Sequence, residues 1–449
     1  MSTESEYQAA GVKICYPHQV PPAPVLSELA LRTRKKVTRR LMPFLFIGYV
    51  IAYLDRINVG FAGLQMTKEL GFNDEVFGFG LGIFYFGYMI LGIPGAMLVE
   101  RWSARRAMAI TLVVWGLVAS ACGLVNSQTQ YFGMRFFLGM AEAAFFPGML
   151  TYLTHWYTPK DRAKAVSMFM TALPVSQIIA APLSAWLLTV HWFGLSGWRW
   201  LLIVEGAPAL VCGVVGWYYL TDRPKDAHWL TAEERGWLIH QLDESHKAVV
   251  SVKKIGVWQA LANRDVILIF IAYIGGTTGN YGLNNWLPKI IKQLGNRSDF
   301  ETAMLSAIPA LITLPAMLLC GWNSDRTGER KYHTTIPRLV AAIAMASVIF
   351  VGNNVPLALT MLTIAMVGIV GSYGPLWAIP NTFLSREAAA SSTGLITSLG
   401  NLGGFVGPYM IGYFSKKTGS FDGGLTTMAI AVFLSSALIA LVGLGRKKA

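Results

Sequence analysis

Apolar runs of about 20 residues recur along the whole chain, separated by short polar punctuation, and a run of that length is what a helix needs to cross the roughly 30 Å hydrocarbon core of a bilayer. Read against turn residues and charges, the pattern predicts twelve membrane-spanning helices: 41–63, 77–99, 106–126, 130–155, 163–189, 198–220, 265–290, 302–323, 335–352, 356–380, 389–414 and 424–445. The expected class is an all-α integral membrane protein.

Residues 221–264 form the one long polar stretch between predicted spans. They divide the chain into a basic N-terminal arm (1–40), a first six-helix bundle (41–220), a linker (221–264), a second six-helix bundle (265–445) and a short tail (446–449). Thr231 with Glu234 has the spacing of a capping box and predicts a short amphipathic helix in the linker. An internal repeat supports the division: AMLVERWSARR (Ala96 to Arg106) aligns with GWNSDRTGERK (Gly321 to Lys331), and Pro182 aligns with Pro408 at nearly the same offset. Two similar halves related by a pseudo-two-fold axis are the expected architecture of a carrier with a midplane site and alternating access.

The first span follows the basic segment RTRKKVTRR, and with no small-residue cleavage site after it, it reads as a retained anchor. Short loops on the arm's side carry Arg101, Arg105, Arg106, Lys160, Arg162, Lys164, Arg326, Arg330, Lys331 and Arg386. The positive-inside rule therefore puts both termini in the cytoplasm of a multi-pass protein of the inner (plasma) membrane. The opposite side also holds Lys68, Lys289, Lys292, Arg297, Lys416 and Lys417, balanced in part by Glu69, Asp74, Glu75, Asp299, Glu301 and Asp422.

Composition agrees: of 449 residues, 54% are hydrophobic and 14% charged. The net charge of +13 would suggest nucleic acid in a soluble protein. Here the cations gather at the inner membrane face, where anionic lipid headgroups are the nearer partner, so membrane lipids and not nucleic acid are expected. Cys15, Cys122, Cys212 and Cys320 show neither metal-ligand spacing nor a paired framework. The sequence has no GxxxxGK[ST] loop, metal-ligand cluster or nucleophile constellation, which argues against an ATP-driven pump and against an enzyme. Expected cofactors are none, with energy supplied by an ion gradient, protons being the coupling ion, or by the substrate itself. The glycines Gly400, Gly403, Gly404 and Gly407 lie in an apolar helix with no preceding strand, so helix packing explains them better than a dinucleotide loop.

Charge inside the spans is the informative chemistry, because each such group costs several kcal/mol unless paired or hydrated. Asp55 and Arg56 fall about 20 Å along the first predicted span, and Arg135 and Glu142, two turns apart, share one face of the fourth. First and fourth helices are thus expected to present two acids and two arginines at comparable depth. A substrate carboxylate competing for a guanidinium changes the electrostatics of the neighbouring acid, which couples anion binding to protonation. The plainer alternative is that Asp55, Arg56 and a static Glu142–Arg135 pair simply fix the fold.

Shifted by the repeat, the second half has no matching intramembrane acids, so proton handling is expected in the first. The second half offers Asn280, Tyr281, Asn284, Asn285, Trp286, Tyr373, Trp377 and Asn401, neutral donors and rings suited to hydroxyls or an aromatic body. Tyr281 and Asn401 are favoured as cavity residues; Trp286 and Trp377 read as interfacial anchors or packing, and Arg199 is expected at the outer surface. The loop acids Glu100 and Asp325 with Arg101, Arg105, Arg326 and Arg330 are expected to bridge helix ends as a cytoplasmic gate, generic positive-inside charge being the alternative.

These loop patterns resemble the signature of the major facilitator superfamily, and Arg135 to Gly139 resembles its fourth-helix motif. More narrowly, AYLDRINVGFA (Ala52 to Ala62), FFLGMAEAAFFPG (Phe136 to Gly148), GWRWLLIVEGAP (Gly197 to Pro208) and GNLGGFVGP (Gly400 to Pro408) resemble its anion:cation symporter branch, which includes bacterial carriers of tartrate, phthalate, hydroxyphenylacetate and sugar acids. Glu100 stands where Asp is usual, Ser103 where Gly is usual, and TALPVSQIIAAP departs from the glycines of antiporters, which leans toward symport. The resemblance implies proton-driven symport of a small organic carboxylate by a monomer. It also implies roles: Arg56 for the substrate carboxylate, Asp55 and Glu142 for protons, and Arg135 as regulator of Glu142. The substrate site is completed in expectation by Tyr53, Tyr281, Asn401 and Tyr373. A facilitative uniporter or anion exchanger is the transport alternative, and a carboxylate receptor without turnover is the alternative from another class.

Overall fold

The computed structural model describes residues 23–250, 263–295, 297–352, 354–382, 396–397 and 399–443, apart from the side chains at a few of these positions, Glu100 and Arg101 among them. Most of the described residues are helical, and none of them is in a strand.

In chain order the spans are Ala23–Glu69, Asp74–Arg101, Ala104–Ala121, Gln128–Glu142 with Phe145–Trp156, Pro159–Met170 with Ala172–Leu187, and Gly197–Tyr219. After the linker helix Ala232–Val250 come Arg264–Leu294, Asp299–Leu305 with Ala307–Thr327, Lys331–Ser347, Val355–Gly371 with Tyr373–Ala378, Leu402–Thr418 and Asp422–Ala440. Eleven of these segments are long and apolar enough to cross a membrane; Leu402–Thr418, which follows residues outside the described set, completes a twelve-span fold.

The polar punctuation that separated the predicted spans becomes helix caps. Asn73, Ser103, Ser127 and Asn263 each accept a backbone N–H of the helix they open, and Ser298 with Glu301 forms a full capping box. In the linker, the Thr231 hydroxyl accepts from Glu234 N (3.2 Å) while the Glu234 carboxylate accepts from Thr231 N (2.9 Å), the expected box.

Two features differ from the sequence reading. The first helix begins at Ala23 and runs 47 residues without a break. At 1.5 Å per residue that is roughly 70 Å, more than twice the hydrocarbon thickness. The basic segment, rich in Lys and Arg with good helix propensity, continues the span toward the linker instead of forming a separate coil. The fourth, fifth, eighth and tenth spans are each split, and the break in the fourth directly follows Glu142.

Within the first half the third span packs on the sixth and the second on the fourth; within the second, the seventh packs on the eleventh and twelfth. The halves meet where the second span faces the eleventh, the first faces the seventh and the fifth faces the eighth. Glycine permits the closest approaches: a Cβ on Gly60 would lie 2.6 Å from the Asn285 carbonyl oxygen, and one on Gly78 2.6 Å from that of Pro408. Polar contacts between the halves join Asp74 to Lys289 (2.7 Å) and Ser415 (2.6 Å), Glu75 to Lys416 (2.5 Å), and Gln65 to Asp299 (3.2 Å). Asp74 opens the second span just after the first has crossed away from the linker, so these contacts close the face remote from the linker.

Candidate functional site

The four sequence-flagged charges come together in the first half, each nearly inaccessible: Asp55 is 3% exposed, Arg56 8%, Arg135 3% and Glu142 1%. Their pairing differs from expectation. Arg56 sends both Nε (2.6 Å) and Nη2 (2.5 Å) to the same oxygen of Glu142, while Glu142 Oε2 has no protein hydrogen bond. The static Glu142–Arg135 pair is therefore replaced by an Arg56–Glu142 pair. The Arg135 guanidinium lies instead over the Phe84 ring (4.8 Å) and donates from Nε to the Gly80 carbonyl (3.3 Å). Two turns on one helix face gave Arg135 and Glu142 a common side, yet the first span inserts its own guanidinium nearer to the acid.

Asp55 is held by neutral donors. Trp115 Nε1 on the third span donates to Oδ2 (2.5 Å) and Asn58 Nδ2 to Oδ1 (3.2 Å). Adjacent residues on one helix point about 100° apart, so Asp55 turns toward the third span and Arg56 toward the fourth. Two acids thus occupy separate niches: Glu142 with a cation, Asp55 with an indole and an amide.

Aromatic rings enclose the Arg56 guanidinium, with Tyr88 at 4.9 Å, Tyr53 at 5.3 Å and Phe84 at 5.9 Å. Such rings favour a cation while leaving its hydrogen-bonding edge free for a planar carboxylate. Across the interface, Tyr281 packs on Tyr85 of the second span (4.6 Å between centroids), and Gly404 faces the same Tyr85 ring. Asn401, buried one turn before Gly404, and half-buried Tyr373 lie on the eleventh and tenth spans. The second-half residues therefore approach the first-half charges through Tyr281 and Tyr85, whereas Tyr373 belongs to a cluster with Tyr273 (6.5 Å) and Arg338 (6.0 Å).

Other expectations resolve individually. Trp286 is fully buried, donates to the Pro408 carbonyl (3.0 Å) and sits between Phe77 and Phe421, so it is packing and not an interfacial anchor. Arg199 stands at the expected end of the sixth span, beside the end of the first, but it is buried there (8% exposed), binding Glu69 (3.0 Å), the carbonyls of Gly123 and Val125, and Asn126. Arg105 pairs with Asp222 at the end of the sixth span, its backbone N–H donating at 3.0 Å, and Ser103 donates to the same acid (2.7 Å). Arg330 pairs with Asp325 (2.6 Å) and donates to Ser324, while Arg326 lies over Trp322 (5.3 Å). These loop contacts stay inside their own halves. The side chains of Glu100 and Arg101 lie outside the described residues, as do Cys15 and Arg386.

Sequence reasoning missed Trp115, Asn58, Tyr88, Asp222 and above all Arg338. Arg338 is 0% exposed on the ninth span and donates to Ser435 Oγ (2.5 Å), Ser372 Oγ (2.9 Å) and the Ala272 carbonyl (3.2 Å), with no acid partner among the described residues. The signal was available, since Arg338 lies three residues inside a predicted span. The indole of Trp115 gave no such signal.

The profile of the Major Facilitator Superfamily matches residues 45–408. Among curated relatives, a protein of Agrobacterium vitis named as a tartrate transporter is 42% identical over 419 residues, which are 93% of this chain and 92% of that one. The inner membrane transport protein RhmT of Escherichia coli is 31% identical over 408 residues, 90% and 94% of the two chains. Among solved structures, an inward-facing, occupied bacterial homologue of the human lysosomal transporter Spinster aligns with a TM-score of 0.72 at 16% identity, covering 90% of this chain and 96% of its own.

Proposed function

Because the chain belongs to the Major Facilitator Superfamily, we propose that it is a proton-coupled symporter that imports a small organic carboxylate across an inner membrane by alternating access. The linker face and both termini are cytoplasmic in this reading, supported by the arginines and lysines of the short loops. In this reading the face closed by the Asp74, Glu75 and Gln65 contacts is the outer one.

The observation that carries the proposal is the Arg56–Glu142 pair. An incoming carboxylate takes the guanidinium's donors, for which its planar geometry is suited. Glu142 then loses its cation in a site with little water and accepts a proton, so that loading the anion and loading the proton are one event. On release to the cytoplasm the steps reverse and Arg56 returns to Glu142, which neutralises both groups for the empty return. Asp55, bound by Trp115 and Asn58, is the second proton carrier, and Arg135 acts on both acids from its place over Phe84. Tyr53, Tyr281, Asn401 and Tyr373 contact the body of the substrate.

Tartrate is the first candidate, because a relative 42% identical carries that name and the neutral phenols and amides of the second half suit hydroxyls. A dicarboxylate such as tartrate is a dianion near neutral pH, so two protons, one on Glu142 and one on Asp55, make its import electroneutral and draw on the pH gradient alone, about 1.4 kcal/mol per proton per unit. The test is uptake into proteoliposomes of tartrate, phthalate, hydroxyphenylacetate, galactonate and glucuronate with and without an inward proton gradient. Accumulation that needs the gradient supports symport. Equilibration without accumulation would mean a uniporter, and binding without flux a receptor.

A further inference from the structure

On the closed outer face, Leu64, Thr67 and Lys68 of the first span, Asp74 of the second, Lys289 and Lys292 of the seventh and Ser415 of the eleventh surround a cavity of 290 Å³. Its chemistry is cationic. Lys292 is held by Asp299 (2.9 Å) and Lys289 by Asp74 (2.7 Å), which leaves Lys68 as the charge in excess. Asp74 is also the one lining group that reaches both second-half walls, taking Lys289 and Ser415 together.

We infer that this cavity is an outer vestibule that binds the organic anion before transport and exchanges it for Asp74 on Lys289, unlocking the outer face. The inference rests on the proposed carriage of carboxylates.

Breaking a partly buried ion pair to bare ends is costly, because a charge is left without compensation. Exchange avoids that step: the anion's carboxylate replaces the Asp74 carboxylate on Lys289, and the ammonium stays paired throughout. Lys289 is placed for this, its Nζ lying over Phe77 (4.6 Å) and Trp286 (5.3 Å), so the cation holds its position when Asp74 leaves. Asp74 in turn needs no second cation. It is the first residue of the second span, where the unsatisfied N–H groups of the helix end stabilise a negative charge. Lys68 draws the anion in, and the second carboxylate of a diacid has Lys68 or Lys292 to meet. Releasing Asp74 frees Ser415 as well, so one exchange loosens both the second-to-seventh and the second-to-eleventh contacts.

The experiment measures half-saturation for tartrate on each face, in right-side-out and inverted vesicles, for the native protein and Lys68→Gln. The expected result is an outer-to-inner ratio raised about fivefold, the worth of one charge at short range through water, and the rise shrinks in high salt. An unchanged ratio overturns the vestibule. A separate readout does not depend on transport: a fluorophore on Gln293→Cys, an exposed residue that also lines the cavity, is titrated with tartrate and with inorganic sulfate at constant ionic strength. A saturable response that Lys289→Gln removes supports the site; a response that follows ionic strength alone, or survives Lys289→Gln, overturns it. Saturable binding with no tartrate flux in the native protein would retire the carriage of tartrate and leave the vestibule standing.

Discussion

Arg56 and Glu142 meet asymmetrically: two guanidinium nitrogens converge on one carboxylate oxygen, and the other oxygen has no protein partner. A pair built this way has a vacant acceptor on the acid and unused donors on the cation. A substrate carboxylate can therefore begin to bind Arg56 before Glu142 has let go.

Glu142→Gln removes the charge and keeps the shape. Gradient-driven accumulation should fall to the level of equilibration, while counterflow across a symmetric membrane persists. Arg56→Ala should lower substrate affinity at least tenfold, since a charge-assisted pair is worth roughly 2 kcal/mol. Equilibrium binding and counterflow assays separate the two variants; accumulation that survives Glu142→Gln would remove Glu142 from the proton path.

Trp115→Phe deletes the indole donor that reaches Asp55 at 2.5 Å and leaves Asn58 in place. The ionised form of Asp55 loses about 2 kcal/mol of support. The pH dependence of uptake should shift toward retention of the proton at higher pH, with substrate affinity at low pH unchanged. A pH profile identical to the native one would confine the Trp115 bond to a packing role.

Gly60→Val places methyl groups where the Asn285 carbonyl oxygen now stands. Closure of the outer face should become unfavourable, so a cysteine introduced there by Gln65→Cys should react with an impermeant thiol reagent more rapidly beside Gly60→Val than beside the native Gly60, and transport should slow. Slow transport without faster labelling would point to general misfolding.

Arg338→Lys keeps the charge and loses the planar fork that serves Ser435, Ser372 and the Ala272 carbonyl. Thermal unfolding should come at lower temperature, by an amount equivalent to roughly 2–4 kcal/mol. If affinity drops tenfold with no loss of thermal stability, Arg338 is a binding residue and not a brace for the break at Ser372.

Glu234 lies outside the membrane and gives a pH prediction. Burial alone would raise its carboxyl, but hydrogen bonds from Lys36 and Thr231 and the charges of Lys36 and Arg32 outweigh that and hold it below its ordinary value. Its folded value being depressed, the stabilisation is complete above about pH 4.3, the unfolded range, and is lost as pH falls through the folded value. The difference in thermal stability between the native protein and Glu234→Gln should be present at neutral pH and vanish in strong acid. A constant difference across that range would show that charge is not what ties Glu234 to the arm.

The twelve spans, the division into halves and the linker capping box were legible because hydrophobic length and cap chemistry are local. That Asp55, Arg56, Arg135 and Glu142 lie buried within the first half was legible for a similar reason, as charge in an apolar run stands out. Their partners were not. Which guanidinium Glu142 takes depends on how the first and fourth helices rotate against each other, and a helix face shared by Arg135 and Glu142 cannot report a nearer Arg56. Trp115 was invisible because an indole in an apolar span looks like packing until the acid it serves is in view. The breaks at Ser306 and Ser372 carry a local signal that the reading did not use: Pro309 and Pro375 each stand four residues beyond Leu305 and Gly371, offer those carbonyls no N–H and crowd them with a ring.

The unbroken first helix has a mechanical consequence. Its portion before Leu41 extends roughly 27 Å beyond the predicted span boundary and is clasped to the linker helix, where Arg32 (3.1 Å) and Lys36 (2.9 Å) hold Glu234. In the proposed alternating access, a rigid rod fixed in the first half turns with it, so a rocking stroke is magnified at the rod's tip and delivered to the linker as displacement. The linker is thereby less a slack tether between two halves than the driven end of a lever.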